Sequence, residues 1–312
     1  MILAETIRAA IAEDEKNILR TLLYFDIFNY PLTESEISSF SPQAMEAEVH
    51  YSIATLLDKK IIYLIDGFYC LQNEPVIIER RKNGNRLAER KMKIARRLSK
   101  LISFFPFVRS VMLSGSISKG YMDKNSDIDY FIVTETGRLW LVRGAMAIIR
   151  RCLLFNSHKY LCTNYFIDTN NLEIEQKNIF TAIEVATLKP MTGTSIVQQF
   201  QQANKWYGEY LPNHRAEINL KEDHRTALQK IGEKMIGSKT LDRIDHWCMK
   251  KFMSRWKETY RHTMSNDDFL IAFQSAGHVS RSHPGFYQKK VLTAYNARIN
   301  EFGNRFNINL DL

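Results

Sequence analysis

The stretch that most constrains this chain is residues 111–134, which read VMLSGSISKGYMDKNSDIDYFIVT. An apolar run leads into Gly115 and Ser116, and a second apolar run carries Asp127 and Asp129 with one residue between them. Side chains alternate along a strand, so the two aspartates are expected to point to the same side. Carboxylates held so close repel each other, and protonation or a divalent cation relieves the repulsion. The pattern predicts two strands with an acidic pair beside a tight turn.

Gly115 and Ser116 form the other half of this pattern, and they favour an anion. Glycine lets the backbone approach a phosphate closely. A helix starting near Ser118 would direct free N–H groups and a positive dipole end at that anion. Mg²⁺ in a phosphate site is held by one or two carboxylates together with substrate phosphates. The sequence therefore predicts a site for a phosphate and a metal.

These features in this order resemble the nucleotidyltransferase superfamily, typified by DNA polymerase beta and the small antibiotic nucleotidyltransferases. The resemblance implies an α/β (α+β) nucleotidyltransferase core with a small mixed sheet. It implies a metal-dependent enzyme that moves a nucleoside monophosphate from a nucleoside triphosphate to an acceptor hydroxyl. Gly115, Ser116 and Lys119 would bind the nucleotide. Asp127 and Asp129 would be catalytic and would hold Mg²⁺, as two ions.

The next predicted strand, residues 159–167, departs from the pattern of the superfamily. Relatives carry a third carboxylate there that helps to deprotonate the acceptor, whereas the matching position here is Asn164. An amide can ligate a metal through its oxygen, so Asn164 is predicted as a third ligand, but it brings no charge and accepts no proton. Asp168 lies roughly 13 Å further along the strand. Glu173 and Glu175, on a predicted returning strand, are the candidate substitutes.

Residues 1–73 are predicted to form a winged-helix-like domain of three helices closed by a hairpin. Thr33 and Glu36 have the spacing of a capping box at the second helix. Asp66 and Gly67 are a favoured hairpin dipeptide. A helix that enters the major groove needs Lys or Arg, and the third helix has few of them. This favours a structural or partner-binding role over DNA binding.

Residues 74–106 are predicted as a basic linking helix. Its cations are Arg80, Arg81, Lys82, Arg86, Arg90, Lys91, Lys93, Arg96, Arg97 and Lys100. Its predicted buried face is Leu87, Ile94, Leu98 and Leu101. Such a charge run is usually a solvated face, but it could place positive charge near a triphosphate or a polyanion.

The remaining boundaries follow from helical patterns. The nucleotidyltransferase core is assigned to residues 107–190, with a helix over residues 139–155. The chain from residue 178 onward reads as helices, so residues 191–312 are predicted as an all-α domain. By resemblance, such an appended bundle shapes the acceptor pocket.

Composition limits the class of protein. A formal charge of +9 suggests an acidic partner, although net charge does not identify a ligand. The cysteines have no Cys-x-x-Cys spacing, which argues against a disulfide framework or a zinc site. No signal peptide or membrane-spanning stretch is recognised, so a cytoplasmic location without a membrane partner is expected.

Two alternatives to the enzyme stay open at this point. One is a catalytically impaired protein that binds a nucleotide or a nucleic acid on the same fold. The other is a winged-helix regulator. The sequence leaves the nucleotide, the acceptor and the oligomeric state undetermined.

Overall fold

The N-terminal unit consists of three helices followed by a two-stranded hairpin. The computed structural model describes residues 11–42, 46–153, 157–216, 218, 220, 227–234, 238–265, 269, 272–273, 275–281 and 286–310. The elements of this unit are α1 (Glu13–Asp26), α2 (Glu34–Phe40), α3 (Glu46–Asp58), β1 (Tyr63–Ile65) and β2 (Phe68–Cys70).

Two local predictions in this unit are confirmed. The Thr33 hydroxyl accepts a hydrogen bond from the Glu36 backbone N–H, and the Glu36 carboxylate accepts one from the Thr33 N–H. Asp66 and Gly67 both have positive φ, at 51° and 80°, as the hairpin turn requires. The element order is the predicted one, and the assignment to the winged-helix class stays a prediction.

The basic helix is α4 (Pro75–Ser103), and its buried face differs from the predicted one. Leu87, Ile94 and Leu98 are only partly buried, and Leu101 is 47% exposed. Half of the buried positions are instead small residues; the buried set is Ile78, Arg81, Gly84, Ala88, Met92, Ala95, Ser99 and Ile102. Small side chains allow close packing, as at Gly84, where a Cβ would lie 2.1 Å from the Tyr121 ring.

Arg81 was counted among the solvated cations of this helix, but it is buried. Its guanidinium donates to the Pro31 carbonyl at 2.8 Å and to Glu36 Oε1 at 2.6 Å. It also lies 3.7 Å from the centre of the Tyr30 ring. Arg81 therefore joins α4 to the N-terminal unit.

Arg81→Leu should destabilise the protein by about 3–5 kcal/mol, because it removes one partner of a buried ion pair. Arg97→Leu is the matched control on the exposed side of α4, where a change within about 0.5 kcal/mol is expected. Urea denaturation followed by circular dichroism measures both. Equal midpoints for the two variants would contradict the role of Arg81.

A mixed sheet of five strands forms the centre of the fold, in the order β6-β3-β4-β5-β7. Neighbours are antiparallel except β4 and β5, which are parallel, so the predicted third strand does lie beside the aspartate strand. The bounds are β3 (Val108–Ser114), β4 (Asp129–Thr134), β5 (Cys162–Asp168), β6 (Lys189–Thr192) and β7 (Val279–Arg281).

The two outer strands were not predicted. β6 contains Pro190, which reads as a helix stop but is tolerated on an edge strand because one side needs no ladder donor. β7 has only three residues, too few for a periodic pattern. Since β7 pairs with β5, the all-helical prediction for residues 191–312 is wrong at this strand. The returning strand predicted at residues 173–175 is not formed.

Helices surround the sheet. A short helix, α5 (Gly115–Ser118), begins directly after β3, so the helix predicted to start near Ser118 ends there instead. The others are α6 (Leu139–Leu153), α7 (Ile179–Ala186), α8 (Thr194–Ala203), α9 (Ala227–Lys234), α10 (Ser238–Tyr260) and α11 (Tyr287–Phe306). Residues 154–155 of the predicted 139–155 helix lie outside the described residues. Among the described helices, none combines the length and apolarity that a membrane crossing requires.

Candidate functional site

All six sequence-predicted site residues line one cavity of about 1080 Å³, here called the aspartate cavity. They are Gly115, Ser116, Lys119, Asp127, Asp129 and Asn164. The cavity opens where β3 ends and β4 begins, and α1 and α11 contribute further walls. Residues far apart in sequence are therefore brought together at one edge of the sheet.

The aspartate pair is arranged by strand alternation. β4 begins at Asp129, with Asp127 just before it, and both are partly exposed to the cavity. Ile128 and Tyr130 are fully buried on the other side. The buried pair anchors this segment in the core and directs the two carboxylates outward.

Gly115 packs directly against one of these carboxylates. Its φ is +66°, and a Cβ built there would lie 2.5 Å from Asp129 Oδ2. The register places Asp129 opposite Ser114, which precedes the glycine. Glycine is required here for two reasons, the left-handed backbone and the close approach to the carboxylate.

Asn164 is positioned by an irregularity of the sheet. The β4–β5 register pairs Tyr130 with Thr163 and Phe131 with Tyr165, so Asn164 is the extra residue of a β-bulge. Bulges redirect side chains beside functional sites. The Asn164 Nδ2 donates to Asp129 Oδ1 at 2.6 Å, and its Oδ1 accepts from the Cys162 thiol at 3.0 Å. In this geometry Asn164 orients Asp129, and its role as a metal ligand stays a prediction.

Asp168 and the two candidate substitutes for the third carboxylate, Glu173 and Glu175, do not line this cavity. Asp168 is buried and accepts hydrogen bonds from Asn170 and Asn171, so it stabilises the turn after β5. Glu173 forms an ion pair with Lys177, and Glu175 is exposed. Without the returning strand, neither glutamate is directed toward Asp129.

Glu184 is the carboxylate that sequence reasoning missed. It lies on α7, lines the aspartate cavity and forms an ion pair with Lys119 Nζ at 2.8 Å. Lys119 Nζ also lies 3.3 Å from the Gly115 carbonyl oxygen, to which it donates. The sequence feature that bears on the position of Glu184 is local: Asn178 and Thr181 form a capping box that fixes the start of α7, the helix that carries Glu184.

The electrostatics of the cavity favour added positive charge. Burial, and to a smaller extent the charges of Asp127 and Glu184, raise the pKa of Asp129, while Cys162 and Lys119 lower it, and the net pKa is about 7. Burial of a carboxylate beside two others disfavours its ionised form. A cation bound here would offset that repulsion.

The side chains that line the cavity decide whether a divalent metal can bind there. Among the described residues, no group of three or more His, Cys, Asp and Glu side chains is placed to hold one. Asp127 and Asp129 supply two carboxylates facing one cavity, which fits Mg²⁺, because that ion takes its remaining ligands from water and substrate phosphates. The residues fit a metal that arrives with a nucleotide.

Aromatic side chains form another part of the wall of the aspartate cavity. Tyr287 at the start of α11 lies 6.4 Å from Phe28 and 6.0 Å from Phe180, measured between ring centres. All three rings line the aspartate cavity. Such a wall suits a flat ring more than a second phosphate.

Comparison with known protein families gives a match to the part of the chain that carries the aspartates of this cavity. Residues 91–189 match the family model of the nucleotidyltransferase domain. No curated protein and no solved structure matches the chain significantly. The matched nucleotidyltransferase region contains Gly115, Ser116, both aspartates and Asn164. The small mixed sheet with its helices is compatible with a nucleotidyltransferase core.

Asp129→Asn should stabilise the metal-free protein at pH 8, and by a smaller amount at pH 5. The pKa of Asp129 is about 7 in the folded protein against an ordinary 3.8, so folding binds a proton and stability falls as the pH rises between these values. Asparagine removes the buried charge, worth on the order of 2–4 kcal/mol at pH 8. Urea denaturation in EDTA at both pH values measures this change in the free energy of unfolding.

Asp123→Asn is the control for that experiment. Although burial raises the pKa of Asp123, hydrogen bonds from Tyr121 and Arg80 hold the net value below the ordinary one. Its substitution should therefore destabilise at pH 8. Destabilisation by Asp129→Asn at both pH values would contradict the electrostatic interpretation.

Gly115→Ala should displace Asp129 and weaken magnesium-dependent nucleotide binding by about tenfold or more, which is about 1.4 kcal/mol or more. Gly137→Ala is the matched control, because Gly137 has φ +70° but nothing lies within 4 Å of its built Cβ. Both variants carry a similar backbone strain, on the order of 1–2 kcal/mol. Calorimetric titration with a nucleoside triphosphate compares them, and equal affinities would rule out the close-approach argument.

Proposed function

We propose that this protein is a metal-dependent nucleotidyltransferase that moves a nucleoside monophosphate from a nucleoside triphosphate to an acceptor hydroxyl. One observation carries the proposal: Asp127 and Asp129 face the same cavity as Gly115 and Ser116, within the region that matches the nucleotidyltransferase domain. In the reaction, the acceptor oxygen loses its proton and bonds to the α-phosphorus. Pyrophosphate leaves as the bond to the β-phosphate breaks.

The chain's own residues divide this work. Gly115, Ser116 and Lys119 would receive the triphosphate, and Asp127 and Asp129 would hold Mg²⁺, two ions in the full complex. When bound, Mg²⁺ supplies charge neutralisation and alignment of the reacting oxygens. Asn164 fixes the Asp129 carboxylate through the 2.6 Å hydrogen bond. The catalytic contribution is then mostly positioning and electrostatics.

Glu184 is the group we assign to accept the acceptor's proton. Asn164 cannot do so, and Glu184 lines the cavity without being needed for metal binding. Its partner Lys119 also lies beside the Gly115 carbonyl, next to the proposed triphosphate site. A triphosphate there would attract Lys119 and free the Glu184 carboxylate.

The second candidate function is a nucleotide-binding protein with impaired catalysis. The observation that favours it is the amide of Asn164 in hydrogen-bonding contact with Asp129. An amide at this position would leave the proposed nucleotide site in place, but it lacks the negative charge that the resembled superfamily has there. Binding would then persist without transfer.

A thermal-shift panel with the four ribonucleoside triphosphates, with and without Mg²⁺, tests the proposed site. A ligand that binds only the folded state raises the Tm. At a ligand concentration a hundredfold above Kd, the free energy of unfolding rises by about 2.7 kcal/mol. Asp127→Asn should abolish the magnesium-dependent part of the shift. Asp66→Asn, in the exposed hairpin turn, should leave it unchanged. Shifts in Asp127→Asn equal to those of the parent would overturn the metal assignment.

Asn164→Asp separates the enzyme from the impaired binder. The added carboxylate should tighten Mg²⁺ binding and lower metal-free stability above pH 7, because it adds a third charge beside Asp129. If the missing base limits turnover, transfer or triphosphate hydrolysis should rise by about 10²–10⁴-fold. An assay of pyrophosphate release measures the rate of transfer, and an assay of phosphate release measures hydrolysis.

Glu184→Gln is the companion variant. A native activity that this variant removes and Asn164→Asp leaves unchanged would assign the base to Glu184. No activity in the parent, with a gain in Asn164→Asp, would support the impaired binder. Inactivity of both proteins toward every tested acceptor, with magnesium-dependent nucleotide binding retained, would also favour binding over catalysis.

A further inference from the structure

A second cavity, of about 1140 Å³, lies beside the first and has a different lining. It is bounded by the N-terminal unit, α4, β6 and the segment around Arg215. Among the residues that the structure describes, six cations and one carboxylate, Glu36, line it. The cations of this basic cavity are Arg96, Lys100, Arg109, Lys119, Lys189 and Arg215.

Two of the six cations are already neutralised. Arg109 forms ion pairs with Glu135 and Glu233, and Lys119 pairs with Glu184. The carboxylate of Glu36 is held by Arg81 and is therefore not available to the cavity.

Four cations remain that have no acidic partner among the described residues: Arg96, Lys100, Lys189 and Arg215. They come from three separate parts of the chain, namely α4, β6 and the 211–216 segment. Isolated surface cations usually extend into water, whereas these converge on one concavity. Convergence of unpaired positive charge raises the local concentration of anions.

The side chains of these four cations favour a phosphate group as the ligand of the cavity. Arginine and lysine form charge-assisted hydrogen bonds with phosphate oxygens, and two or more cations are needed to match a multiply charged group. Other cations of α4, such as Lys93 and Arg97, are exposed as Arg96 and Lys100 are, but they do not line the cavity. The four cations that line the concavity suit the phosphates of a small molecule, whereas a long nucleic acid would also contact the exposed cations of α4 outside it.

The two cavities meet at a shared wall. Tyr30 and Lys119 line both, and the Tyr30 hydroxyl donates to the Lys119 carbonyl at 2.9 Å. A ligand anchored by its phosphates in the basic cavity would therefore end next to the residues proposed to bind the nucleotide.

We infer that the basic cavity binds the phosphate groups of a small phosphorylated acceptor, whose hydroxyl reaches the aspartate cavity past Lys119. This inference rests on the proposed function for the identity of the ligand as acceptor. The anion site itself stands on the four unpaired cations. The two parts can be tested separately.

Calorimetric titration with inorganic tripolyphosphate in EDTA tests the anion site. The double variant Arg96→Gln/Lys100→Gln should weaken binding by about tenfold or more, since hydrogen bonds to charged groups are lost. The matched control is Lys93→Gln/Arg97→Gln, which removes the same charge from positions of α4 that do not line the cavity and should bind as the parent does. Equal weakening in both double variants would show a net-charge effect and would overturn the inference.

A second titration locates the site relative to the nucleotide. The protein is first saturated with Mg²⁺ and a non-hydrolysable nucleoside triphosphate, and tripolyphosphate is then added. Binding that persists, with the same dependence on Arg96 and Lys100, supports two adjacent sites. Complete competition would place both ligands in one site and overturn the inference.

Further outcomes separate this inference from the proposed function. Absence of magnesium-dependent nucleotide binding, with tripolyphosphate binding still lost in Arg96→Gln/Lys100→Gln, would refute the nucleotidyltransferase and keep the anion site. A single-stranded oligonucleotide that binds with the same dependence on Arg96 and Lys100, and more tightly than tripolyphosphate, would identify nucleic acid and overturn the small-molecule assignment.

Discussion

The structure of the site depends on one close contact, that between the Gly115 backbone and the Asp129 carboxylate. A Cβ at Gly115 would lie 2.5 Å from Asp129 Oδ2, so the turn after β3 and the first residue of β4 can approach only because the glycine has no side chain. This approach brings the backbone proposed to bind phosphate and the carboxylate proposed to bind metal into one cavity. It also buries charge, which raises the pKa of Asp129 to about 7. The buried negative charge that the proposed metal site needs therefore lowers the free energy of unfolding of the metal-free protein.

The N-terminal unit is attached to this site by specific contacts. Arg81 binds the Pro31 carbonyl and stacks on Tyr30, and Tyr30 in turn donates to the Lys119 carbonyl. Phe28 contributes to the aromatic wall of the aspartate cavity. Because the unit contributes wall residues to both cavities, we infer a role in shaping the ligand site. DNA binding by this unit alone would not require these contacts.

The sequence was sufficient where local rules dominate, and insufficient where tertiary packing decides. The capping box at Thr33, the hairpin turn at Asp66 and the aspartate strand follow from neighbouring residues alone. The edge strands β6 and β7 are short and are stabilised by pairing with distant strands, so no periodic pattern marks them. Glu184 carries no motif, and only the packing of α7 brings it near Lys119.

The Lys119–Glu184 ion pair lies where the two cavities meet, which gives it a coupling role in the proposed reaction. Lys119 lines both cavities, whereas Glu184 lines only the aspartate cavity. A triphosphate would compete with Glu184 for the Lys119 ammonium, because charge-assisted contacts with phosphate are comparable in strength to those with a carboxylate. Glu184 would then be released only when the nucleotide is present. Proton acceptance from the acceptor would thus depend on nucleotide binding, without movement of the backbone.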